Sequence, residues 1–380
     1  MVFAGGGTGG HIYPALAAAE EIKRKRPEAR FLFIGGDRME TELVPAAGLP
    51  FRRISVHGIA GRGLAGWTRR ARGAVELLLG VPLVQSLFAL KSFHPHVVIG
   101  TGGYVSGPVL LASHLMHIPS IAIEGNRNPG WTSRMVSKLA DVMAVAHPEQ
   151  AAFFAERMGR SGRVALTGLP IRSDIASITH HEGAFALNLD PSRTTLLVLG
   201  GSLGSKAINQ AVVGALRLLG RDDDRISEVQ VLHVTGPWRC TSLSPGELET
   251  LVPHYRAVNY LHDDYPKALA AADIVVSRAG ASTVAELTAR GLPAVLIPWA
   301  GATGGEQVLN AEPLGQCGAA VIIPDTELSD QYLKGTLATL LWDREKRGQM
   351  ARACRLLGSP QAAEKVALLA LRLADGEGVD

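Results

Sequence analysis

Cysteine is scarce in this sequence, and its spacing is irregular. The three cysteines, Cys240, Cys317 and Cys354, are far apart and form no Cys-x-x-Cys pair. This argues against a disulfide framework or a zinc site, and it favours a reducing compartment such as the cytosol. The N-terminal residues Met1 to Ala4 run directly into glycines, without a basic start or a cleavable apolar stretch. We therefore predict no signal peptide.

An excess of charge of one sign is also lacking. The chain has 38 Lys and Arg against 35 Asp and Glu, a net charge of +3, and this argues against a dedicated nucleic-acid-binding protein. The most apolar segment, Ala74 to Leu90, contains Glu76, Gly80 and Pro82, and a membrane span needs about 20 apolar residues. We predict instead a helix that is partly core and partly an exposed apolar patch.

What the chain has is glycine, enough apolar residues for a core and enough length for two domains: 43 glycines and 47% hydrophobic residues in 380. Short apolar runs alternate with helical patterns, which predicts parallel sheets covered by helices. In the first half the predicted strands are 2–4, 31–34, 97–99 and 121–123, with a helix over 14–25. In the second half they are 195–199, 229–234, 274–277 and 294–298, with a helix starting at 206.

Both halves begin with a strand, a glycine turn and a helix. This predicts an α/β protein with two doubly wound, Rossmann-like domains facing a cleft. The boundary is expected at Gly168-Leu169-Pro170, where Gly and Pro punctuate the chain, giving domains 1–168 and 169–357. The last helix, within 358–380, is expected to fold back on the first domain.

The first glycine turn, Gly5 to Gly10, satisfies the Gly-x-Gly-x-x-Gly spacing and is followed by His11. Glycines let backbone amides approach a phosphate, and the start of a helix favours negative charge. A dinucleotide site would also use an acid such as Asp37; the alternative is a tight turn required by packing. An imidazole at His11 can accept a proton from a hydroxyl at neutral pH, or it can simply cap the helix beside Tyr13.

Two further polar segments follow strands in the first half. Gly100 to Pro108 offers a second glycine turn at the same predicted sheet edge. Glu124 and Asn126 follow the strand 121–123 and can hydrogen-bond sugar hydroxyls. The alternative for this second segment is an ordinary loop with a helix cap.

In the second half, Gly280, Ala281 and Ser282 open a predicted helix whose amides can meet a diphosphate. Glu286 lies one turn further and suits the paired hydroxyls of a ribose. The alternative is a capping box of Ser282 or Thr283 with Glu286, which needs no ligand.

Taken together, these motifs resemble the MurG family of UDP-N-acetylglucosamine–N-acetylmuramyl-(pentapeptide) pyrophosphoryl-undecaprenol N-acetylglucosamine transferases. The resemblance covers nearly the whole chain, in the family's order. The strings that carry it are AGGGTGGH, DRMETELVP, GTGGYVSGP, LGGSLGSKAINQ and SRAGASTVAELTARGLPAVLIP, followed by Glu306-Gln307 and Asn310-Ala311.

The resemblance implies a GT-B fold, two Rossmann-like domains separated by a cleft. It implies inverting transfer of GlcNAc from UDP-GlcNAc to the C4 hydroxyl of the MurNAc of lipid I (undecaprenyl-diphosphate-MurNAc-pentapeptide), giving lipid II. It further implies a peripheral enzyme on the cytoplasmic face of the inner membrane, without a cofactor.

Residues are carried over from the family by position. The implied catalytic residues are His11 as a candidate base, with Glu124 and Tyr104 as groups that can share the task. The implied substrate-binding residues are Thr8, Gly9, Gly10, Asn126, Arg172, Ser202, Asn209, Gly280, Ala281, Ser282, Thr283, Val284, Ala285, Glu286 and Gln307.

Two surface features complete the expectation. Asp222-Asp223-Asp224 contains the Asp-x-Asp metal signature of another glycosyltransferase fold, but it lies in a charged stretch between a helix and a strand, so we predict no metal. Arg62, Arg69, Arg70 and Arg72 precede the apolar segment and suit docking on an anionic membrane; the alternative is a core helix with a polar entrance.

This chain departs from the family at several polar positions. Ile123, Gly125, Leu169 and Leu203 stand where many members carry His, Gln, Asn and Gln, so hydrogen-bonding groups around the predicted cleft are lost. The competing functions are a related transferase with another lipid or natural-product acceptor, a nicotinamide-dependent oxidoreductase, and a catalytically silent binding protein.

Overall fold

The structure is a computed structural model that describes residues 1–56, 80–159, 162–201, 204–237 and 250–378. The chain divides into two compact units. The first unit consists of Met1–Arg172 and Gln361–Asp380, and the second unit of Ser173–Pro360. The division between them falls just after the predicted boundary at Gly168 to Pro170.

The first unit contains a seven-stranded sheet in the order β3-β2-β1-β4-β5-β6-β7. All of its neighbouring strands are parallel. The strands are β1 (Val2–Ala4), β2 (Leu32–Gly35), β3 (Phe51–Arg53), β4 (Val98–Gly100), β5 (Ser120–Glu124), β6 (Val142–Val145) and β7 (Arg163–Leu166). β1, β2, β4, β5 and β6 are wholly buried, and their central residues are the short apolar runs that the sequence shows.

Helices connect these strands and cover the sheet. They are α1 (Gly9–Lys25), α2 (Glu40–Ala46), α3 (Val81–Phe93), α4 (Gly103–Leu115), α5 (Trp131–Val136) and α6 (Pro148–Ala155). Helix α1 begins five residues before the predicted start at Pro14, because Thr8, in an extended conformation, is its N-terminal cap. His11 therefore lies inside the first turn of α1.

The last described helix belongs to the first unit, although the chain reaches it from the second. Helix α15 (Ala362–Ala374) packs against α1. Lys25 forms a salt bridge with Glu364 at 2.7 Å, and Arg26 forms a bidentate salt bridge with Asp375. These contacts fasten the C-terminal segment to the end of α1.

The second unit contains a six-stranded parallel sheet in the order β10-β9-β8-β11-β12-β13. Its strands are β8 (Thr194–Leu199), β9 (Val229–Val234), β10 (Tyr255–Val258), β11 (Ile274–Ser277), β12 (Ala294–Leu296) and β13 (Ala320–Ile322). Its helices are α7 (Ser173–Ser177), α8 (His180–Ala186), α9 (Lys206–Asp222), α10 (Tyr265–Ala271), α11 (Ala281–Arg290), α12 (Glu306–Gln316), α13 (Asp330–Trp342) and α14 (Arg344–Leu356).

In both sheets the strand order reverses next to the first strand. The reversal lies between β1 and β4 in the first unit and between β8 and β11 in the second. Parallel α/β sheets bind ligands at this point, outside the carboxyl ends of the strands. The loops that follow β1, β4, β8 and β11 are therefore the places where the fold can form a site, and all the predicted glycine turns lie there.

The apolar segment Ala74 to Leu90 is described only from Gly80 onward, where it enters α3. Within the described part of the chain, no helix is both long enough and apolar enough to cross a membrane. The basic residues Arg62, Arg69, Arg70 and Arg72 lie outside the described residues.

Candidate active site

The first glycine turn needs glycine for two reasons, the backbone conformation at Gly7 and the close packing at Gly5. Gly7 has a φ of +95°, which favours glycine. A Cβ on Gly5 would lie 2.3 Å from the hydroxyl oxygen of Thr101. Thr8 is exposed and Gly9 and Gly10 open α1, so the turn leads directly into the N-terminus of a helix.

His11 is held by a reciprocal contact with Thr101. Its Nδ1 lies 3.1 Å from the carbonyl oxygen of Thr101, while the Thr101 hydroxyl donates to the carbonyl of His11 at 2.6 Å. Since a carbonyl only accepts, Nδ1 carries the proton and Nε2 is the basic nitrogen of the neutral ring. Thr101 was not predicted as a site residue, although it stands in the second glycine motif.

The protonation of His11 depends on burial and on two carboxylates. Burial lowers the pKa of His11, whereas the charges of Glu124 and Glu40 and the hydrogen bond to Thr101 raise it. Burial dominates, so the pKa lies below its usual value near 6.5. The imidazole is therefore neutral at pH 7, as a general base must be.

The second glycine turn contacts the first. A Cβ on Gly102 would lie 2.7 Å from Nδ1 of His11, and one on Gly103 would lie 2.6 Å from the carbonyl oxygen of Gly6. Both glycines have positive φ. Tyr104 follows on the first turn of α4 with an exposed side chain. The structure thus brings both predicted turns and His11 together at the end of β1 and β4.

Glu124 lies at the end of β5 with its carboxylate buried. One oxygen accepts a hydrogen bond from the amide of Asn126 at 2.8 Å, and the other accepts one from the amide of Gly130 at 3.0 Å. These bonds fix the loop after β5. A role for Glu124 in proton transfer and for Asn126 in sugar binding stays a prediction.

Two departures from the family pattern are in contact. A Cβ on Gly125 would lie 2.8 Å from a methyl carbon of Leu169, which is itself buried. The apolar Leu169 side chain therefore occupies the space that a side chain at position 125 would need. Nearby in sequence, the guanidinium of Arg172 stacks over the ring of Tyr13 at 5.2 Å; its predicted contact with the nucleotide stays a prediction.

In the second unit, α11 begins directly after β11, with Gly280 as its cap. A Cβ on Gly280 would meet no atom within 4 Å, so space is open beside the first amides of the helix. The capping box of Ser282 or Thr283 with Glu286 is wrong, because a residue without a side chain occupies the cap. Ala281, Ser282, Thr283 and Ala285 are partly exposed, and Val284 is buried.

Glu286 is 7% exposed, and one of its carboxylate oxygens accepts a hydrogen bond of 2.6 Å from the hydroxyl of Tyr265. Tyr265 is the first residue of α10, 21 positions away in the chain. No local pattern relates the two residues, so the sequence did not identify Tyr265. The hydroxyl fixes the orientation of the carboxylate that was predicted to bind ribose.

Asn209 lies inside the second unit rather than at its surface. Its amide donates to the carbonyl of Thr235 at 2.9 Å and accepts from Nε2 of His233 at 3.1 Å. The other nitrogen of His233 lies 2.8 Å from the hydroxyl of Tyr255. These partners give Asn209 a structural role between α9 and β9, and its predicted contact with substrate stays a prediction. Ser202 lies outside the described residues.

The remaining predicted residues are placed as follows. Gln307 stands in the first turn of α12, where its side-chain oxygen accepts from the amide of Trp299 at 2.9 Å. In the Asp-x-Asp segment, Asp222 pairs with Lys334 and Asp223 with Arg225. Among the residues that the structure describes, no group of His, Cys, Asp and Glu is arranged to hold a metal ion.

Two family models match the chain, one for each half. The glycosyltransferase family 28 N-terminal domain matches residues 1–145, and the glycosyltransferase family 28 C-terminal domain matches residues 195–366. With glycine turns at the switch points of two parallel sheets, these matches define a glycosyltransferase of the GT-B fold.

A relative from Desulforudis audaxviator is 40% identical over 100% of this chain and 99% of its own length. It is named UDP-N-acetylglucosamine--N-acetylmuramyl-(pentapeptide) pyrophosphoryl-undecaprenol N-acetylglucosamine transferase. This chain belongs to that family, the MurG family.

One solved structure agrees with this assignment, and a second shares the fold. The crystal structure of Acinetobacter baumannii MurG is 26% identical, covers 98% of both chains and has a TM-score of 0.69. A UDP-GlcNAc 2-epimerase from Neisseria meningitidis, bound to UDP-GlcNAc, has a TM-score of 0.65 at 13% identity, with 97% of this chain and 98% of that chain covered. At that identity the second likeness concerns the fold alone.

Proposed function

We propose that this chain transfers GlcNAc from UDP-GlcNAc to the muramyl sugar of lipid I and so forms lipid II for peptidoglycan synthesis. The observation that carries the proposal is the full-length match to relatives whose name states this transfer. The nicotinamide-dependent alternative is wrong for a member of this transferase family. A related transferase with a different acceptor remains the second candidate. Gly125 and Leu169 stand where many family members have polar side chains, so polar groups are missing at the loop after β5.

In the proposed reaction, the C4 hydroxyl of MurNAc attacks the anomeric carbon of GlcNAc. Nε2 of His11 accepts the hydroxyl proton while the new C–O bond forms and the bond from the anomeric carbon to the diphosphate oxygen breaks. Attack from the face opposite the leaving group inverts the configuration at that carbon. The hydrogen bond from Nδ1 to Thr101 keeps Nε2 unprotonated for this step.

The diphosphate of UDP leaves as an anion and needs positive charge or hydrogen-bond donors. We place it at the N-terminus of α11, where Gly280 leaves open space beside the helix amides. Glu286 then binds the ribose hydroxyls, Gln307 the GlcNAc hydroxyls, and Thr8, Gly9 and Gly10 border the acceptor diphosphate. None of these steps requires a metal.

A membrane-bound acceptor calls for a surface that reaches the lipid. In the first unit, α3 and α5 both pack toward α4 and expose large apolar side chains. Phe88 is 64% and Trp131 68% exposed, and Lys91 and Arg134 add positive charge on the same helices. We propose that these exposed apolar and basic side chains rest on the cytoplasmic face of the inner membrane. Co-sedimentation with anionic vesicles should fall for Phe88→Ser, and unchanged binding would refute this part.

The transfer itself is tested with purified protein, UDP-GlcNAc and a lipid I analogue, by following UDP release and the disaccharide product. We expect product only when both substrates are present. Replacing His11 by Ala should reduce turnover by about 10²–10⁴-fold, while UDP binding is retained. Absence of product with the muramyl lipid, together with transfer to another acceptor, would favour the second candidate.

A further inference from the structure

A buried carboxylate in the first unit, that of Glu40, is neither the base nor a substrate-binding group in the reaction proposed above. Glu40 is the first residue of α2 and is only 1% exposed. A carboxylate in such a place must be satisfied by hydrogen-bond donors, since an unpaired buried charge is strongly unfavourable. One oxygen of Glu40 accepts from the amide of Gly7 at 2.9 Å, and the other accepts from the amide of Gly36 at 2.9 Å.

Two glycines beside Glu40 leave room for its carboxylate. A Cβ on Gly6 would lie 2.7 Å from one of its oxygens, and a Cβ on Gly36 would lie 2.9 Å from it. Gly6 and Gly7 follow β1, whereas Gly36 follows β2. The carboxylate therefore joins the ends of two neighbouring strands at the point where the first glycine turn begins.

The turn held in this way also supports the candidate base. A Cβ on Gly103 would lie only 2.6 Å from the carbonyl oxygen of Gly6, so the first turn limits the position of the second. The same second turn packs on the ring of His11 through Gly102. A shift of Gly6 or Gly7 is thus passed on to the surroundings of His11 by direct contact.

We propose that Glu40 is a positioning residue for the acceptor side of the reaction, which holds the first glycine turn and, through it, the surroundings of His11. The proposal rests on the function proposed above. Because Gly7 gives its amide to Glu40, the turn is fixed in the conformation that leads Thr8, Gly9 and Gly10 into α1.

The charge of Glu40 has a second, separable effect. The charged groups that act on His11 are the carboxylates of Glu40 and Glu124, and both raise its pKa against the effect of burial. Replacing Glu40 by a neutral residue should lower the pKa of His11 further. The acid limb of kcat/KM would then move to lower pH, a change that loss of stability alone does not produce.

The test uses three variants of the full chain. Glu40→Gln keeps the shape but removes the charge and turns one acceptor into a donor facing an amide. Glu40→Asp keeps the charge but shortens the side chain, so that it cannot reach both glycines. The matched control is Glu42→Gln, the same change at an exposed position on α2.

For Glu40→Gln we expect the KM for the lipid I analogue to rise by about tenfold or more. Loss of a hydrogen bond to a charged group weakens an equilibrium by roughly this factor. The acid limb of the pH profile of kcat/KM should also move to lower pH. Glu40→Asp should raise the same KM without moving the limb, and Glu42→Gln should match the wild type. The dissociation constant of UDP should stay unchanged throughout.

Wild-type acceptor KM and an unmoved acid limb in Glu40→Gln would overturn the proposal. An equal rise in the KM for UDP-GlcNAc would do so as well, because it indicates general damage. If Glu40→Gln does not fold, a wild-type acceptor KM in Glu40→Asp overturns it instead. Failure of the proposed function is recognised separately, since wild-type protein would then form no lipid II analogue at all.

Discussion

Replacing Gly102 by alanine should disable the candidate base with only a modest loss of stability. The new methyl group would lie 2.7 Å from Nδ1 and 3.0 Å from Cε1 of His11. Such distances lie well inside van der Waals contact, so either the imidazole or the backbone of the turn must move. Because Nδ1 is the atom bonded to Thr101, a displaced ring loses the contact that sets its tautomer.

The magnitude follows from two separate terms. Gly102 has φ 102° and ψ −174°, a region that side chains avoid, and strain there costs about 1–3 kcal/mol. Each kcal/mol lowers the Tm of a domain of this size by roughly 2–4 °C. Catalysis suffers more, because a misplacement on the order of 1 Å can cost about 10²-fold in rate.

Gly48→Ala is the matched control in the same unit. Gly48 also has a positive φ, +74°, but its added methyl group would meet no atom within 4 Å. Steady-state kinetics and thermal melts of both variants should show similar losses of Tm and a loss of kcat in Gly102→Ala alone. If kcat of the two variants agreed within about threefold, less than 1 kcal/mol, the placement of His11 against Gly102 would be refuted.

Three further predictions concern His11, Glu286 and His233. Since burial lowers the pKa of His11, the acid limb of kcat/KM should have its midpoint below pH ~6.5. Tyr265→Phe removes the hydroxyl that donates to Glu286 and should weaken UDP binding by about tenfold, as measured by calorimetry, with the exposed Tyr332→Phe as control. Burial lowers the pKa of His233 to about 4, so the unfolded chain binds its proton at a higher pH than the folded chain. The free energy of unfolding of the second unit should therefore fall between pH ~6.5 and 4 by up to about 3 kcal/mol, as urea titrations can measure.

Each of these predictions has a contrary result. A midpoint above pH ~6.5 would show that the carboxylates outweigh burial at His11. An unchanged UDP dissociation constant in Tyr265→Phe would contradict the prediction that Glu286, oriented by Tyr265, binds the ribose. For His233, the pH-dependent loss should shrink in His233→Gln, and an identical loss in both proteins would assign it to other groups.

The elements that the sequence predicted well are those with a local cause. Strands β1, β9 and β11 are short apolar runs between turn residues, and their predicted ranges match the structure. The start of α1 was missed, because glycine has a low helix propensity and Pro14 suggested a first helical position. In the structure, the extended Thr8 caps the helix and the glycines form its first turn.

The features of the candidate site also fall into those with a local cause and those set by tertiary contacts. The sequence by itself determined that glycine turns follow the strands of two α/β halves, that His11 and Glu286 stand beside them, and that the chain resembles one transferase family. These features follow from spacing and residue type within short segments, which local chemistry controls.

Only the tertiary structure decided which side chains hold those segments in place. Thr101 sets the tautomer of His11 from 90 positions away, and Glu40 binds Gly7 across 33 positions. Asn209, predicted to bind substrate, also donates to Thr235 and accepts from His233 inside the second unit, and the sequence shows neither contact. Such contacts arise because parallel strands bring the ends of distant segments to one sheet edge, and no periodicity along the chain records which polar groups meet there.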